Sequence, residues 1–388
     1  MVPKGWMLKQ LSDIVKEKIS YGIVQAGPHI PNGIPYIKSS DIRGAIDPAS
    51  LQRTAPEIHY KYRRSAVHPG DIIFSLRGNI GETAIVPSNL LEANLTQGTA
   101  RISVSGDQCN EFYHQQFAMD KLRNYINSLS KGSTFKEISL EELRKVKVLC
   151  APLPEQKKIA QILSTWDKAI TVTEKLLVNS QQQKKALMQQ LLTGKKRLLD
   201  ENGVRFSGEW RNSTLSMFCN IAKGKALSAS DLEVGDFPVI AGGKSSPYSH
   251  SDYTHENVVT VSASGAYAGY ISYHNYKIWA SDCSVVSAKA DNLIDYFYQL
   301  LLSLQDKIYS LQSGGAQPHI YPKDLNSIPL WVPCVKEQQK IATVLSAADA
   351  EISTLEKKLA CLRDEKKALM QQLLTGKRRV KVDEAVAE

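Results

Sequence analysis

The stretch that decides the fold occurs twice, as EQKKIAQILST at residues 155–165 and as EQQKIATVLSA at residues 337–347. A second segment, KKALMQQLLTGK, occurs at 184–195 and again at 366–377. Both pairs are separated by 182 residues (337 − 155 and 366 − 184). A continuous helix requires such a gap-free match, because one extra residue would rotate its apolar face by about 100°. The chain is therefore predicted to be an internal repeat organised around one long helix.

The first copy of this helix is predicted over residues 155–192 and the second over residues 337–374. Proline is tolerated just before a helix, and Pro152 and Pro154 stand there in the first copy. Gly194 is expected to end the helix in a left-handed conformation. About 38 residues at 1.5 Å each span roughly 57 Å. Apolar residues of the first copy recur at three- and four-residue steps, at Ile159, Ile162, Leu163, Trp166, Ile170, Leu177, Leu187 and Leu191.

A helix of this length with one apolar stripe needs a partner, and the other copy is the obvious one. We favour antiparallel pairing, because it relates the two units by a pseudo-twofold axis, places their domains at opposite ends and brings the chain termini close together. The expected fold class is α+β, with two mixed α/β domains separated by two long helices that pair as an antiparallel coiled coil. The expected segments are a first domain at 1–151, a first helical spacer at 152–200, a second domain at 201–334, and a second helical spacer with the C-terminal tail at 335–388.

The repeat extends into the domains, but with a changing offset. Trp6 and Leu11 match Trp210 and Leu215 at an offset of 204, so the variable part of the first unit is longer by 22 residues. Short strands are predicted at 71–75, 83–86, 258–262 and 270–273, and one helix is predicted in each domain, near 110–130 and 292–312. Two domains of one fold are expected to recognise different things.

Composition limits the class of protein and of partner. The chain has 388 residues and a formal net charge of +9, which favours a polyanionic partner. No segment approaches the ~20 apolar residues of a membrane span, and the N-terminus lacks the apolar stretch of a signal peptide. The six cysteines are scattered, which is typical of a reducing compartment. We expect a cytoplasmic protein.

Motifs of catalytic sites are missing from the sequence. The Walker-like fragment Thr193-Gly194-Lys195 has Gln189 where glycine is needed and Lys196 where a Mg²⁺-binding hydroxyl is needed. Zinc-protease and serine-hydrolase motifs do not occur, and the histidines are dispersed. We expect no catalytic residues, no metal and no cofactor. A nuclease carboxylate pair is not excluded by the sequence, because acidic residues are plentiful.

The motifs and their order resemble the specificity subunit of a type I restriction-modification system. The resemblance covers essentially the whole chain, although the chain begins almost directly with its first variable domain. The motifs that carry it are GDIIFSLRGNIG at 70–81, PLPEQKKIAQIL at 152–163, KALMQQLLTGKKR at 185–197, GGAQPHI at 314–320 and EQQKIATVL at 337–345.

This resemblance implies a function. Each target-recognition domain would read one half of a split, asymmetric target in double-stranded DNA. The paired helices would fix the length of the spacer and dock two methyltransferase subunits, which supply S-adenosylmethionine binding and N6-adenine methylation. Restriction subunits with motor and nuclease activity would join through them. The specificity subunit itself carries no catalytic residues in that scheme.

Loop residues with forked or amide side chains are the candidates for contacts with base edges, and cations are candidates for phosphates. The predicted DNA-binding residues of the first domain are Lys38, Arg43, Arg63, Arg64, Arg77, Asn79, Lys131 and Thr134. Those of the second domain are Lys223, Lys225, Lys244, Ser264, Tyr267, Gln317 and His319. A solvated surface position is the alternative for each of them.

Polar residues that recur in both helices are the candidates for methyltransferase docking, on the premise that they are exposed. They are Gln156, Lys184, Lys185, Gln189 and Gln190, with their copies Gln338, Lys366, Lys367, Gln371 and Gln372. Shared ancestry of the two helices explains the recurrence equally well. Two other functions stay open at this point: a self-contained DNA-modifying or DNA-cleaving enzyme with an unrecognised active site, and a coiled-coil adaptor without a DNA role.

Overall fold

The chain forms two compact units, each built from one variable domain and parts of both long helices. The computed structural model describes residues 2–132, 136–228, 230–243, 248–315 and 317–382. The first unit contains residues 1–173 and 358–388, and the second contains residues 174–357. Among the described residues, no helix has both the length and the apolar character that crossing a membrane requires.

The first unit is a mixed α/β domain. Its strands are β1 (Met7–Gln10), β2 (Ser20–Tyr21), β3 (Ile34–Ile37), β4 (Arg53–Thr54), β5 (Ile72–Ser75), β6 (Thr83–Ile85), β7 (Asn94–Leu95), β8 (Thr99–Ile102) and β9 (Lys147–Cys150). Its short helices are α1 (Pro56–Lys61), α2 (Asn110–Phe117), α3 (Asp120–Ser128) and α4 (Leu140–Lys145), and the first long helix α5 (Leu153–Leu191) follows them. The strands form a four-stranded antiparallel sheet in the order β2-β8-β5-β6, a three-stranded sheet in the order β4-β3-β7, and the pair β1-β9.

The second unit repeats this topology strand for strand. Its strands are β10 (Arg211–Thr214), β11 (Cys219–Lys223), β12 (Phe237–Ile240), β13 (Ser249–His250), β14 (Val258–Ser262), β15 (Ile271–His274), β16 (Trp279–Ala280), β17 (Cys283–Ala288) and β18 (Pro329–Val332). Its helices are α6 (Leu215–Phe218), α7 (Ile294–Ser303), α8 (Gln305–Tyr309), α9 (Pro322–Asn326) and the second long helix α10 (Val335–Leu373). The sheet orders are β11-β17-β14-β15, β13-β12-β16 and β10-β18, so the two domains share one fold.

Matching strand pairs locate the 22 extra residues of the first unit. Residues of β10 follow the matching residues of β1 by 204 positions. Ser75 of β5 and Ser262 of β14 occupy the same place in their sheets, because they pair with Thr99 and Cys283, and they are only 187 positions apart. Most of the extra chain therefore lies between β1 and β5. That interval contains α1 and a 3₁₀ turn at Arg63–Ser65. Arg63 and Arg64 thus belong to the part that distinguishes the first domain.

The single helices predicted near 110–130 and 292–312 are each two helices, so that prediction is wrong in detail. In the first unit the break falls at Met119, whose backbone is extended (φ −70°, ψ 129°) and cannot continue α2. The restart allows α3 to bury Ile126 in the core of the unit. In the second unit Leu304 separates α7 from α8.

The antiparallel pairing of the long helices is confirmed, because the start of each helix shares a core with the end of the other. In the first unit Ile159 and Leu163 of α5 lie in one buried cluster with Met370 and Leu373 of α10. In the second unit Leu191 lies at the end of α5, in the same buried cluster as Ile341 and Leu345 near the start of α10. Burial of these apolar faces supplies most of the stability of helices in proteins.

The ends of the helices follow backbone constraints. Both helices have 39 residues and begin two residues earlier than predicted, at Leu153 and Val335. Pro154 consequently lies in the first turn, where its missing N–H costs nothing. The predicted left-handed glycine is confirmed at both ends, with φ of +70° at Gly194 and +66° at Gly376.

Candidate nucleic-acid interface

The loop after the central strand β5 brings several predicted residues together in the first unit. The backbone N–H of Leu76 donates to Gly98 (2.9 Å), and the N–H of Ile138 donates to the carbonyl of Leu76 (3.1 Å). These bonds hold Arg77 opposite Glu137 in an antiparallel bridge. The next residue, Gly78, has φ +74°, a conformation that disfavours residues with a side chain.

An ion pair fixes the side chain of Arg77. Its Nε lies 2.8 Å from a carboxylate oxygen of Glu137, and both side chains keep about two fifths of their surface exposed (44% and 40%). Among the described residues, none accepts a hydrogen bond from the terminal amino groups of Arg77. These groups are the fork that binds a base edge bidentately. A half-exposed ion pair adds little to the stability of the protein, so its main effect is to orient the guanidinium of Arg77.

Lys131 and Asn79 lie beside this pair. Lys131 exchanges two backbone hydrogen bonds of 2.9 Å with Glu137, and its side chain is exposed. Asn79 donates to Glu82 (3.1 Å) in the turn that follows Gly78. Arg77, Asn79 and Lys131 thus form one polar cluster at the end of the four-stranded sheet. Thr134 lies outside the described residues.

The second unit builds the corresponding loop with different side chains. Here the backbone N–H of Ala263 donates to the carbonyl of Asp282 (3.2 Å), and the carbonyl of Ala263 accepts from the N–H of Ile320 (2.9 Å). Leu76 makes the same two backbone bonds, with Gly98 and Ile138. Ser264 lies opposite His319 in an antiparallel bridge, and its hydroxyl donates to the carboxylate of Asp282.

Predicted residues flank this bridge closely. The backbone N–H of Gly265 donates to Pro318 (3.1 Å), which holds the segment containing Gln317 against the loop. Tyr267 ends the 3₁₀ turn at Gly265–Tyr267 and is 43% exposed. The ring of His319 stacks on Tyr321 with a centroid distance of 6.1 Å. Gln317, Tyr267 and His319 therefore present amide, phenol and imidazole groups at one surface.

The end of β11 adds two lysines to the same region. The N–H of Gly224 donates to Cys283 (2.8 Å), and a Cβ there would lie 2.2 Å from the carbonyl oxygen of Ser281, so only glycine fits. Lys225 donates its N–H to Ala280 (2.8 Å) and holds its Nζ 4.9 Å from the ring centroid of Trp279. Lys223 and Lys225 thus flank the segment that contains Asp282. Lys244 lies outside the described residues.

The other predicted DNA contacts of the first unit lie on different elements. Lys38 ends the β3 region, where its Nζ donates to Gln52 (3.3 Å). Arg43 is exposed in the loop that follows. Arg63 and Arg64 are exposed in the 3₁₀ turn after α1. The sequence did not predict that Glu137 and Asp282 belong to the interface. The available signal for Glu137 was its position 182 residues before the predicted residue His319, which is the offset of the repeat.

Two of the docking candidates, Gln156 and Gln338, are fully buried, so the premise that they are exposed is wrong. The carbonyl oxygen of the Gln156 amide accepts from the N–H of Cys109 (2.8 Å), the residue that precedes α2. Gln338 accepts from Leu293 (2.9 Å), which precedes α7, in the same way. Each glutamine satisfies a backbone donor at a helix start and joins that helix to a long helix.

Lys184 and Lys366 also point inward, because each makes an ion pair with the opposite long helix. Lys184 Nζ lies 2.5 Å from Asp349, and Lys366 Nζ lies 2.6 Å from Asp167. A domain glutamine completes each pair: Gln299 donates to Asp349 (2.7 Å), and Gln115 donates to Asp167 (2.6 Å). The recurrence of these lysines therefore has a structural cause.

The remaining docking candidates are exposed. Lys367 is 62% exposed and pairs with Asp120 at 2.9 Å, and a hydrogen bond from this lysine lowers the pKa of Asp120. The exposed set consists of Lys185, Gln189, Gln190, Lys367, Gln371 and Gln372. In the part of the chain that the structure describes, no three histidine, cysteine or acidic side chains are grouped so that they could hold a metal ion.

Comparisons with known proteins agree with this architecture. A family profile described as the type I restriction modification DNA specificity domain matches residues 3–179 and 207–362. The MjaVIII type I restriction enzyme specificity subunit of Methanocaldococcus jannaschii is 24% identical over 415 aligned residues, which cover 98% of this chain and 94% of that protein. The EcoBI specificity subunit of Escherichia coli is 28% identical over 165 residues, which cover 42% of this chain and only 35% of that subunit.

A solved structure shows the same fold. The crystal structure of the type I restriction-modification system S subunit from M. genitalium superimposes with a TM-score of 0.71 at 18% identity, and the match covers 96% of this chain and 99% of that one. At this level of identity the likeness concerns the fold alone.

Proposed function

Because the chain belongs to the family of type I restriction-modification specificity subunits, we propose that it selects a two-part DNA target and that each unit reads one half. One observation carries the proposal. The loop after the central strand is held by the same backbone hydrogen bonds in both units, but it presents Arg77 and Glu137 in one and Ser264 and His319 in the other. A constant frame with exchanged polar side chains is what reading two unlike half-sites requires.

The two loops differ in the bases they suit. Arginine binds the O6 and N7 atoms of guanine bidentately, so Arg77 favours a guanine in the first half-site. Glutamine pairs bidentately with the N6 and N7 atoms of adenine, whereas serine and histidine offer single donors or acceptors. Gln317, Ser264 and His319 therefore favour a different half-site. The lysines nearby suit phosphate contacts, which position the protein without specifying sequence.

The exposed repeated helix positions suit the docking of two methyltransferase subunits, one on each unit. Lys185 and Gln189 of α5 recur as Lys367 and Gln371 of α10, so the same partner can bind twice. Restriction subunits would join through the methyltransferases. In this proposal the chain contributes recognition and no catalysis, and the cofactor S-adenosylmethionine belongs to the partner.

Mapping of methylated adenines tests the proposal directly. The chain is produced together with its methyltransferase subunits in a host that lacks them, and the methylated sequences are read from genomic DNA. A bipartite motif with a fixed spacer is expected. The Arg77→Ala variant should relax the first half of that motif and the His319→Ala variant the second half.

Two controls separate this proposal from an enzyme that acts alone. The purified chain is incubated with DNA, Mg²⁺ and S-adenosylmethionine without other subunits, and neither methylation nor cleavage is expected. Either activity would contradict the assignment. A continuous motif, or a motif that both variants change in the same half, would contradict the division of labour between the units.

A further inference from the structure

A cationic cavity of about 520 Å³ opens in the first unit, and Arg77, Asn79 and Lys131 are not among its lining residues. It lies between the segment that enters β2, strand β8, helix α4 and the 3₁₀ turn at Arg63–Ser65. Four cations and one carboxylate line it, together with Leu140: Lys18, Arg64, Arg101, Arg144 and Glu17. Such a concentration of one sign of charge in a concave site attracts an anion.

Among the described residues that line the cavity, the one carboxylate, Glu17, is already paired. Arg101 is 6% exposed, and its guanidinium contacts Glu17 and donates to the carbonyl of Ala66 (2.6 Å). Arg101 and Glu17 therefore cancel in charge. Lys18 and Arg64 have no carboxylate within 4.0 Å among the described residues. The charges of Lys18, Arg64 and Arg144 consequently have no ion-pair partner within 4.0 Å among the described residues.

Arg144 shows an unmet requirement for an acceptor. One of its terminal amino groups donates to the carbonyl of Ile19, but its Nε is buried and has no hydrogen-bond partner among the described residues. Buried donors are almost always satisfied, because an unpaired one costs about 1–3 kcal/mol. An anion in the cavity would pair with the positive charge of this guanidinium and with the other cations that lack an ion-pair partner.

We propose that this cavity binds a phosphate group through Arg64, Arg144 and Lys18. Planar guanidinium groups match phosphate oxygens in geometry, and a phosphate has enough oxygens to accept from several donors at once. The site belongs to the first unit. At the 182-residue offset Arg144 is replaced by Asn326, and Arg64 stands in the interval that holds most of the extra residues.

The phosphate has two conceivable sources: the DNA backbone, which rests on the function proposed above, or a free phosphate-bearing molecule. The position in the fold suits the backbone. Leu140 of the cavity follows Glu137 by three residues, which span at most about 11 Å of chain. That distance is comparable with the ~12 Å width of the major groove, so a base reader and a phosphate contact can serve one duplex.

The test compares Arg64→Gln/Arg144→Gln with the matched control Lys175→Gln/Lys357→Gln, which removes two exposed helix cations. The first readout is the salt dependence of DNA binding by the chain in complex with its methyltransferase subunits. Loss of one phosphate contact should lower the slope of log K against log salt by about one, equally for target and non-target duplexes. The control should leave the slope unchanged, and the methylated motif should be the same in all three proteins.

The second readout is the unfolding temperature of the chain in inorganic phosphate and in chloride at equal ionic strength. Stabilisation by phosphate that is lost in the double variant supports the site even if the DNA slope is unchanged, and it then identifies a free phosphate as the source. The single variant Arg64→Gln repeats both measurements, because Arg64 is exposed and its loss should not affect folding.

The proposal is overturned if neither the slope nor the phosphate effect differs between the variants and the wild-type chain. A changed methylation motif would also overturn it, because the cavity would then read bases. If the wild-type complex binds no bipartite target, the proposed function is refuted instead. The unfolding temperatures in phosphate and chloride would then still test whether the cavity binds phosphate.

Discussion

Arg77 Nε lies 2.8 Å from a carboxylate oxygen of Glu137, and the corresponding positions of the second unit hold Ser264 and His319. The backbone frame is the same in both units, since Ile138 and Ile320 donate to equivalent carbonyls of Leu76 and Ala263. The backbone frame thus repeats in the two domains, whereas the polar side chains that it presents differ. This separation leads to the first prediction.

Glu137 is predicted to act as a positioning residue for Arg77. Arg77→Ala should reduce discrimination at one position of the first half-site by about 10- to 100-fold, the value of one bidentate base contact. Glu137→Gln keeps the size of the side chain but loses its charge, so it should weaken the same position by less. Sequencing of methylated adenines checks both variants, with Lys175→Ala as control. Equal relaxation of both half-sites would refute the prediction.

Adjacent lysines of α5 should differ sharply in their effect on stability. Lys184 is 10% exposed and bonds Asp349, whereas Lys185 is exposed. Lys184→Met should lower the free energy of unfolding by about 1–3 kcal/mol, because it removes a hydrogen bond between charged groups. Lys185→Met should cost less than about 0.5 kcal/mol. Thermal unfolding measures both, and a similar cost for the two variants would contradict the interior role of Lys184.

The exposed helix residues should control how many methyltransferase subunits bind. Lys185→Ala/Gln189→Ala and Lys367→Ala/Gln371→Ala preserve helix propensity and remove long polar side chains. Each double variant should lower the stoichiometry from two methyltransferases to one, and the combination should abolish assembly. Native mass spectrometry counts the subunits, with Lys61→Ala on α1 as control. Two bound subunits in the combined variant would show that docking lies elsewhere.

The length of the paired helices should set the spacer of the DNA target. Four residues inserted after Gln183 and four after Glu365 leave each lysine–aspartate pair within its own unit. The insertion adds about 6 Å to each helix and changes its rotation by only ~40° beyond a full turn. The preferred spacer should grow by about one to two base pairs at ~3.4 Å each.

A two-residue insertion is the control for that experiment, because it rotates the apolar face by about 200° and should destabilise the protein. Methylated-adenine sequencing reads the spacer. An unchanged spacer in a stably folded four-residue variant would end the idea that the helices act as a ruler.

His274 should make the stability of the chain depend on pH. Burial lowers its pKa from 6.5 to about 4, and its Nε2 lies 2.9 Å from the hydroxyl of Thr260. The unfolded chain then binds a proton at higher pH than the folded chain, so the stability contributed by neutral His274 falls as pH drops from about 6.5 to about 4. His274→Gln should flatten this decline. Unfolding temperatures across the range measure it, and parallel curves for the two proteins would refute the prediction.

Local patterns determined much of the architecture. The repeat at 155–165 and 337–347 predicted two long helices, and their apolar stripes predicted that the helices pair, because a stripe of that length must be buried. The pseudo-twofold relation of the two units predicted that the pairing is antiparallel. These predictions are confirmed. Membership of the family also followed from the order of the motifs. Periodicity and motif order are properties of the chain alone, so they can be read without coordinates.

Contacts between distant segments could only come from the tertiary structure. Lys184 and Lys185 are neighbours with the same chemistry, yet only the packing of α5 against α10 decides that the first bonds Asp349 and the second remains exposed. Glu137 likewise gained a role only when the fold placed it beside Arg77. The sequence by itself thus determined the repeat, the long helices and their pairing. The tertiary structure decided which polar side chains lie inside, which meet and which remain exposed, because hydrogen bonds and ion pairs depend on distances between residues far apart in the chain.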